Sequence, residues 1–190
     1  PVCAPCRSCI ASGLEYNRCQ VWANDTLFPS QHTTYHQRLR DDARVSVHER
    51  TNVRGIEVSA LGGPFQLLVG DLSFVSLRTV MADLVRLVAG GGTMILLVKP
   101  QFEAGKAEVD RGRGVVRDPG VWKTVLEEVD GSVRDHGAAI MGGMPSPITG
   151  ADGNVEFLVE VRTGVDTSVV PSLDVVALVA SVRGTGEAGA

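Results

Sequence analysis

The chain has 190 residues, a formal net charge of −4 and 44% hydrophobic residues, enough for one cored domain and too apolar for a mostly disordered polymer. No apolar run reaches the roughly 18 residues of a membrane span, and the opening PVCAPCRSC lacks the basic-then-apolar layout of a secretory leader. The acidic balance argues against a uniformly basic nucleic-acid coat and leaves room for a local basic groove.

The first forty residues differ from the rest. All four cysteines fall there, as Cys3, Cys6, Cys9 and Cys19. Residues 1–40 carry +2, from four Arg against Glu15 and Asp25, which leaves −6 for residues 41–190. The spacing C-x2-C-x2-C-x9-C admits an iron–sulfur or zinc site. It also admits sequence foreign to the rest, from a shifted frame, a wrong gene boundary or a fusion, and that reading is preferred, with no metal expected. A cysteine-free body suits a reducing cytoplasm.

From residue 44 the pattern alternates strand and helix. Residues 45–48 form a short strand. FQLLVG (65–70) is a continuous apolar run that suits a strand covered on both faces. Apolar positions 77, 80, 81, 84, 85 and 88 recur at helical spacing, with Ser73 or Ser76 as cap and Gly90 to Gly92 as stop. Residues 93–98 are a second buried strand ending at Lys99-Pro100. A Gly-rich, charged loop is expected over 100–119. A helix follows over 121–136 behind Asp118, then a strand at 138–141 and turn chemistry over 142–154. A strand at 155–161, a helix at 170–183 and a frayed tail complete the chain. The order implies an α/β sheet, mostly parallel, with a late antiparallel strand.

Ligands of such sheets sit beyond the carboxyl ends of the strands. That rim collects His48 and Glu49, Asp71 and Lys99. The start of an antiparallel last strand adds Asn154 and Glu156. A lysine between carboxylates can stabilise an alkoxide as an ammonium, or accept a proton as an amine. A hydroxyl nucleophile needs such help, because its own pKa lies far above 7. A structural ion pair at a sheet edge would use the same residues.

The segments DLSFVSL (71–77), LVKPQFEAGK (97–106), GVVRDP (114–119), SPITGADGNVEFL (146–158) and ERTNVR (49–54) together resemble the TlyA, or hemolysin-A, family of FtsJ-like ribosomal RNA 2′-O-methyltransferases. The resemblance covers about residues 38–183. It implies a Rossmann-like S-adenosylmethionine-dependent methyltransferase sheet, incomplete in its N-terminal half. It further implies S-adenosyl-L-methionine as donor, ribosomal RNA or ribosomal subunits as partner, a cytoplasmic location and no membrane, despite the hemolysin name. From the family's Lys-Asp-Lys-Glu tetrad, Asp71, Lys99 and Glu156 match the last three members. Lys99 would activate the 2′-hydroxyl; Asp71 and Glu156 would orient it. Glu49, Thr51, Asn52 and Asp71 become cofactor contacts, with a plain turn as the alternative for Asn52. Asp25, after the strand-like VWAN, becomes a ribose ligand. Apart from the resemblance, Lys106, Arg111, Arg113 and Arg117 put four cations on the Gly-rich 100–119 loop and suit RNA phosphate contacts, although the neighbouring acids make a solvated loop equally natural.

The same resemblance leaves residues 1–37 as an atypical Cys-containing segment, 38–183 as a partial methyltransferase domain and 184–190 as a disordered tail. The family's S4-type domain, first tetrad lysine and glycine-rich donor loop have no counterpart, so the chain is expected to be truncated and open to inactivity. The alternatives are a catalytically dead remnant or RNA-binding module of the family and, behind them, an iron–sulfur or zinc protein. Unless residues 1–37 supply substitutes, the strand at 45–48 is expected to lack a neighbour.

Overall fold

A computed structural model describes residues 19–23, 41–49 and 52–182. The chain divides into two compact units, Pro1–Ile56 and Glu57–Ala190. In the first, strand β1 (Cys19–Ala23) pairs in parallel with β2 (Val45–Glu49), in register from Cys19 opposite Val45 to Ala23 opposite Glu49. The 45–48 strand therefore has a neighbour, and residues from the atypical segment supply it.

The second unit holds the larger sheet. Its elements are β3 (Phe65–Gly70), α1 (Leu77–Leu87), β4 (Val88–Val98), α2 (Pro100–Glu103), α3 (Lys106–Arg111), α4 (Pro119–Asp135), β5 (Ala138–Pro145), β6 (Phe157–Thr163) and α5 (Val175–Ala180). The strand order is β3-β4-β6-β5. β3 runs parallel to β4, and β6 runs antiparallel to both β4 and β5. Three strands thus share one direction, and the late reversed strand expected from the sequence is β6, inserted between β4 and β5.

Local chemistry sets the helix starts. Ser76 caps α1, its side chain accepting from the Arg78 N–H, and Asp118 caps α4 by accepting from the Gly120 N–H ahead of a first-turn proline. Leu77, Val80, Met81, Leu84 and Leu87 form one buried stripe on α1, and Trp122, Val125, Leu126, Val129 and Val133 form one on α4. The two helices touch each other and the sheet, so they cover the same face. Beneath them lie Leu68, Met94, Leu96, Val98, Phe157, Val159 and Val161, all buried.

Several details depart from the sequence expectation. β3 is covered on one face, not two: Val69 is 57% exposed. Gly90 to Gly92 do not end the helix region. They lie inside β4, where Gly91 has φ 78 and the pairing with β3 shifts register between Phe65 and Leu67. The Thr163 hydroxyl holds the bend by donating to the Ala89 carbonyl at 2.5 Å. The expected loop over 100–119 contains α2 and α3. Residues 142–145 continue β5 because β6 pairs it as far as Pro145 opposite Phe157. α5 covers less than half of the helix expected over 170–183. The Arg134 guanidinium donates to the carbonyls of Thr167, Val170 and Pro171 and fixes that segment as a turn and irregular chain ahead of α5.

Candidate active site

The carboxyl ends of β3 and β4 place Asp71 and Lys99 side by side. Lys99 Nζ lies 2.6 Å from Asp71 Oδ1, with the lysine side chain 12% and the aspartate 33% exposed. Nζ also donates to Ser73 Oγ at 3.1 Å and stands 5.9 Å from the Phe102 ring centre. Phe74 packs on Phe102 with ring centres 5.0 Å apart. It is nevertheless 61% exposed, and its φ of 62 is a strained value for a bulky side chain.

Glu156 arrives from the reversed strand. The β4–β6 register pairs Val98 with Phe157, so Lys99 and Glu156 take the next opposed positions. The Glu156 carboxylate is buried, and its Oε1 accepts from Gln101 Nε2 at 3.0 Å. Among the described residues it makes no ion pair with Lys99. Asp71 and Lys99 are therefore joined directly, whereas Glu156 is bonded to Gln101, a residue that sequence reasoning missed. Gly150 passes so close that a Cβ there would sit 2.2 Å from Glu156 Oε1.

Asn154, expected as a rim amide, is a buried bracket. Its Oδ1 accepts from the Val116 N–H and its Nδ2 donates to the Gly114 carbonyl, each at 3.0 Å. Trp122 Nε1 donates to the Val116 carbonyl at 3.0 Å. Together they tie the 112–118 segment to the start of β6 and to α4.

Asn52 is exposed in the first unit, and its Oδ1 accepts from the Arg54 N–H, a local turn. Glu49 ends β2. Asp25 and Thr51 lie outside the described residues, as do the side chains of Glu49 and Lys106. Arg111 pairs with Glu108 at 2.9 Å, and Arg113 and Arg117 are exposed nearby. Cys3, Cys6 and Cys9 also lie outside the description. Among the described residues no group of three His, Cys, Asp or Glu is placed to hold a metal ion. No helix among them is long and apolar enough to cross a membrane.

The sequence profile of the FtsJ-like methyltransferases matches residues 8–163, which takes in most of the Cys-containing segment. The 16S/23S rRNA (cytidine-2′-O)-methyltransferase TlyA of Mycobacterium tuberculosis is 43% identical over 131 residues, covering 69% of this chain and 48% of that protein. A candidate hemolysin from Streptococcus thermophilus superposes with a TM-score of 0.74 at 30% identity, covering 86% of this chain and 57% of that one. One from Lactococcus lactis gives 0.70 at 32%, covering 76% and 69%. The chain spans about half the length of the curated relatives it matches. The sheet is that of a methyltransferase-type α/β fold. The chain belongs to the FtsJ-like methyltransferase family.

Proposed function

We propose that the chain methylates the 2′-hydroxyl of ribosomal RNA ribose, in the cytoplasm, using S-adenosyl-L-methionine. The observation that carries this reading is the nearly buried Lys99 ammonium held 2.6 Å from Asp71 at the open end of parallel strands. The relative from M. tuberculosis, named for 2′-O-methylation of cytidine, supports the choice of acceptor.

The donor supplies an electrophilic methyl group when bound. Asp71 fits a place beside it: one carboxylate oxygen is held by Lys99 while the side chain stays one-third exposed. Glu49, Thr51, Asn52 and Asp25 remain candidates for the rest of the donor. As a free amine Lys99 would receive the hydroxyl proton; as an ammonium it would stabilise the alkoxide as it forms, the proton passing to water. Asp71 fixes the lysine head. Glu156 is anchored by Gln101 and borders the acceptor side. The exposed ring of Phe74 offers a stacking face for a base, worth roughly 1–3 kcal/mol in single-stranded RNA. Strain at φ 62 is the kind of cost retained at a working site. Lys106, Arg111, Arg113 and Arg117 would contact phosphates.

Calorimetric titration with S-adenosylmethionine and transfer of a tritiated methyl group to ribosomal RNA test the reading. Lys99→Ala is expected to lower transfer by about 100-fold or more while leaving donor affinity nearly intact. Transfer retained by Lys99→Ala removes that residue from the mechanism. Absence of donor binding at millimolar concentration rejects the enzyme reading for this chain and favours a binding module of the same family.

A further inference from the structure

Two short pieces build the candidate site, residues 71–76 and the turn 99–103. They meet at Lys99 with Asp71 and Ser73, and again where Phe102 packs on Phe74. Both of those contacts reach solvent. The third contact is buried. Glu103, 4% exposed, accepts at Oε1 from the Leu77 N–H at 2.6 Å, and at Oε2 from the Ser76 hydroxyl at 2.6 Å and Arg78 Nε at 3.3 Å. Its own carbonyl accepts from Arg78 Nη2 at 2.7 Å. The turn itself is closed by the Phe102 N–H on the Lys99 carbonyl at 2.8 Å and the Ala104 N–H on the Pro100 carbonyl at 2.8 Å.

We infer that Glu103 is the positioning residue that sets the Lys99–Asp71 pair. Its carboxylate satisfies a first-turn N–H of α1 and pins the end of the 71–76 loop. Its backbone belongs to the turn that begins at Lys99. A shift at Glu103 thus moves the aspartate and the lysine relative to each other. The carboxylate is buried under its three donors and acts only through them. The arrangement uses charge-assisted bonds, which are short and strong, at the one joint sheltered from water. The kinetic consequence rests on the proposed reaction; the geometric one does not.

The test compares Glu103→Ala with Glu103→Gln in the full chain. Gln retains an acceptor for the Leu77 N–H and is the conservative rescue. For Glu103→Ala, kcat for methyl transfer is expected to fall about 10- to 100-fold with KM for donor and RNA within about threefold, and Gln to restore most of it. A second readout needs no activity. The chain has three lysines, Lys99, Lys106 and Lys123. Labelling with [ε-13C]lysine gives a small set of signals, assigned by Lys→Arg variants. In folded Glu103→Ala the Lys99 signal is expected to move while those of Lys106 and Lys123 stay. An unmoved Lys99 signal, or a kcat equal to the parent's, overturns the inference. Failure of both variants to fold also overturns it, by making Glu103 a fold residue only. If the parent transfers no methyl, the proposed reaction fails, and the Lys99 signal alone decides the positioning role.

Discussion

Glu156 shows how a single glycine protects a charged side chain. The carboxylate is buried, held on one side by Gln101 and on the other by the bare Cα of Gly150. Gly150 is itself tied down, its N–H donating to the Asn154 carbonyl at 2.8 Å. Gly150→Ala would drive a methyl group into the carboxylate and push it off Gln101. The expected cost is about 1–3 kcal/mol of stability, measured by denaturant unfolding, with a matching loss of methyl transfer. Gly142→Ala is the control, since a Cβ there meets open space, and it should leave both unchanged. At this scale the sequence was most legible for Asp71 and Lys99. A carboxylate after an apolar run and a lysine before a proline mark strand ends without any tertiary knowledge. Gln101, Glu103 and Phe74 were not legible as site residues. Their meaning comes from contacts across 25 to 55 positions, as between Arg78 and Glu103 or Gln101 and Glu156, which no local pattern encodes.

Helices with caps at their starts were readable because cap and periodicity agree. α4 is the clearest case. Asp118 accepts from the Gly120 N–H at 2.8 Å, Pro119 opens the first turn, and the buried stripe from Trp122 to Val133 follows. The same cap stands two residues beyond Val116, the anchor point of Asn154 and Trp122. Asp118→Ala should therefore cost about 1 kcal/mol, seen as a lower urea midpoint at unchanged slope. Elements that depend on partners were misread. β4 begins at Val88 because Phe65 pairs there, and three glycines next to a helix look like a stop until Thr163 is seen holding them. α2 and α3 have 4 and 6 residues, too few for a 3.6-residue period to show. The pairing of β1 with β2 stayed one of two alternatives, with VWAN strand-like, because five residues of strand carry little pattern of their own.

On the proposed reaction, charge would decide how the whole molecule meets RNA. The chain is acidic at −4, so attraction to phosphate must be local. The first cations to follow the 99–103 turn, with described side chains, stand at the end of α3 and just beyond it. Arg111 is partly neutralised by Glu108, whereas Arg113 and Arg117 are exposed on the segment that Asn154 and Trp122 hold against β6. A braced segment presents its guanidinium groups at lower entropic cost than a loose one. If these two arginines contact phosphates of a single strand, replacing both with Ala should reduce the slope of log affinity against log salt by about 1.4. Affinity should fall across RNA sequences alike, because phosphate contacts carry no base identity. The Lys99–Asp71 pair should not change, since among the described residues no hydrogen bond or ion pair joins it to Arg113 or Arg117. An unchanged salt slope in the double variant would move the RNA path away from this segment. The exposed ring of Phe74 would then be the described feature left to meet the acceptor strand.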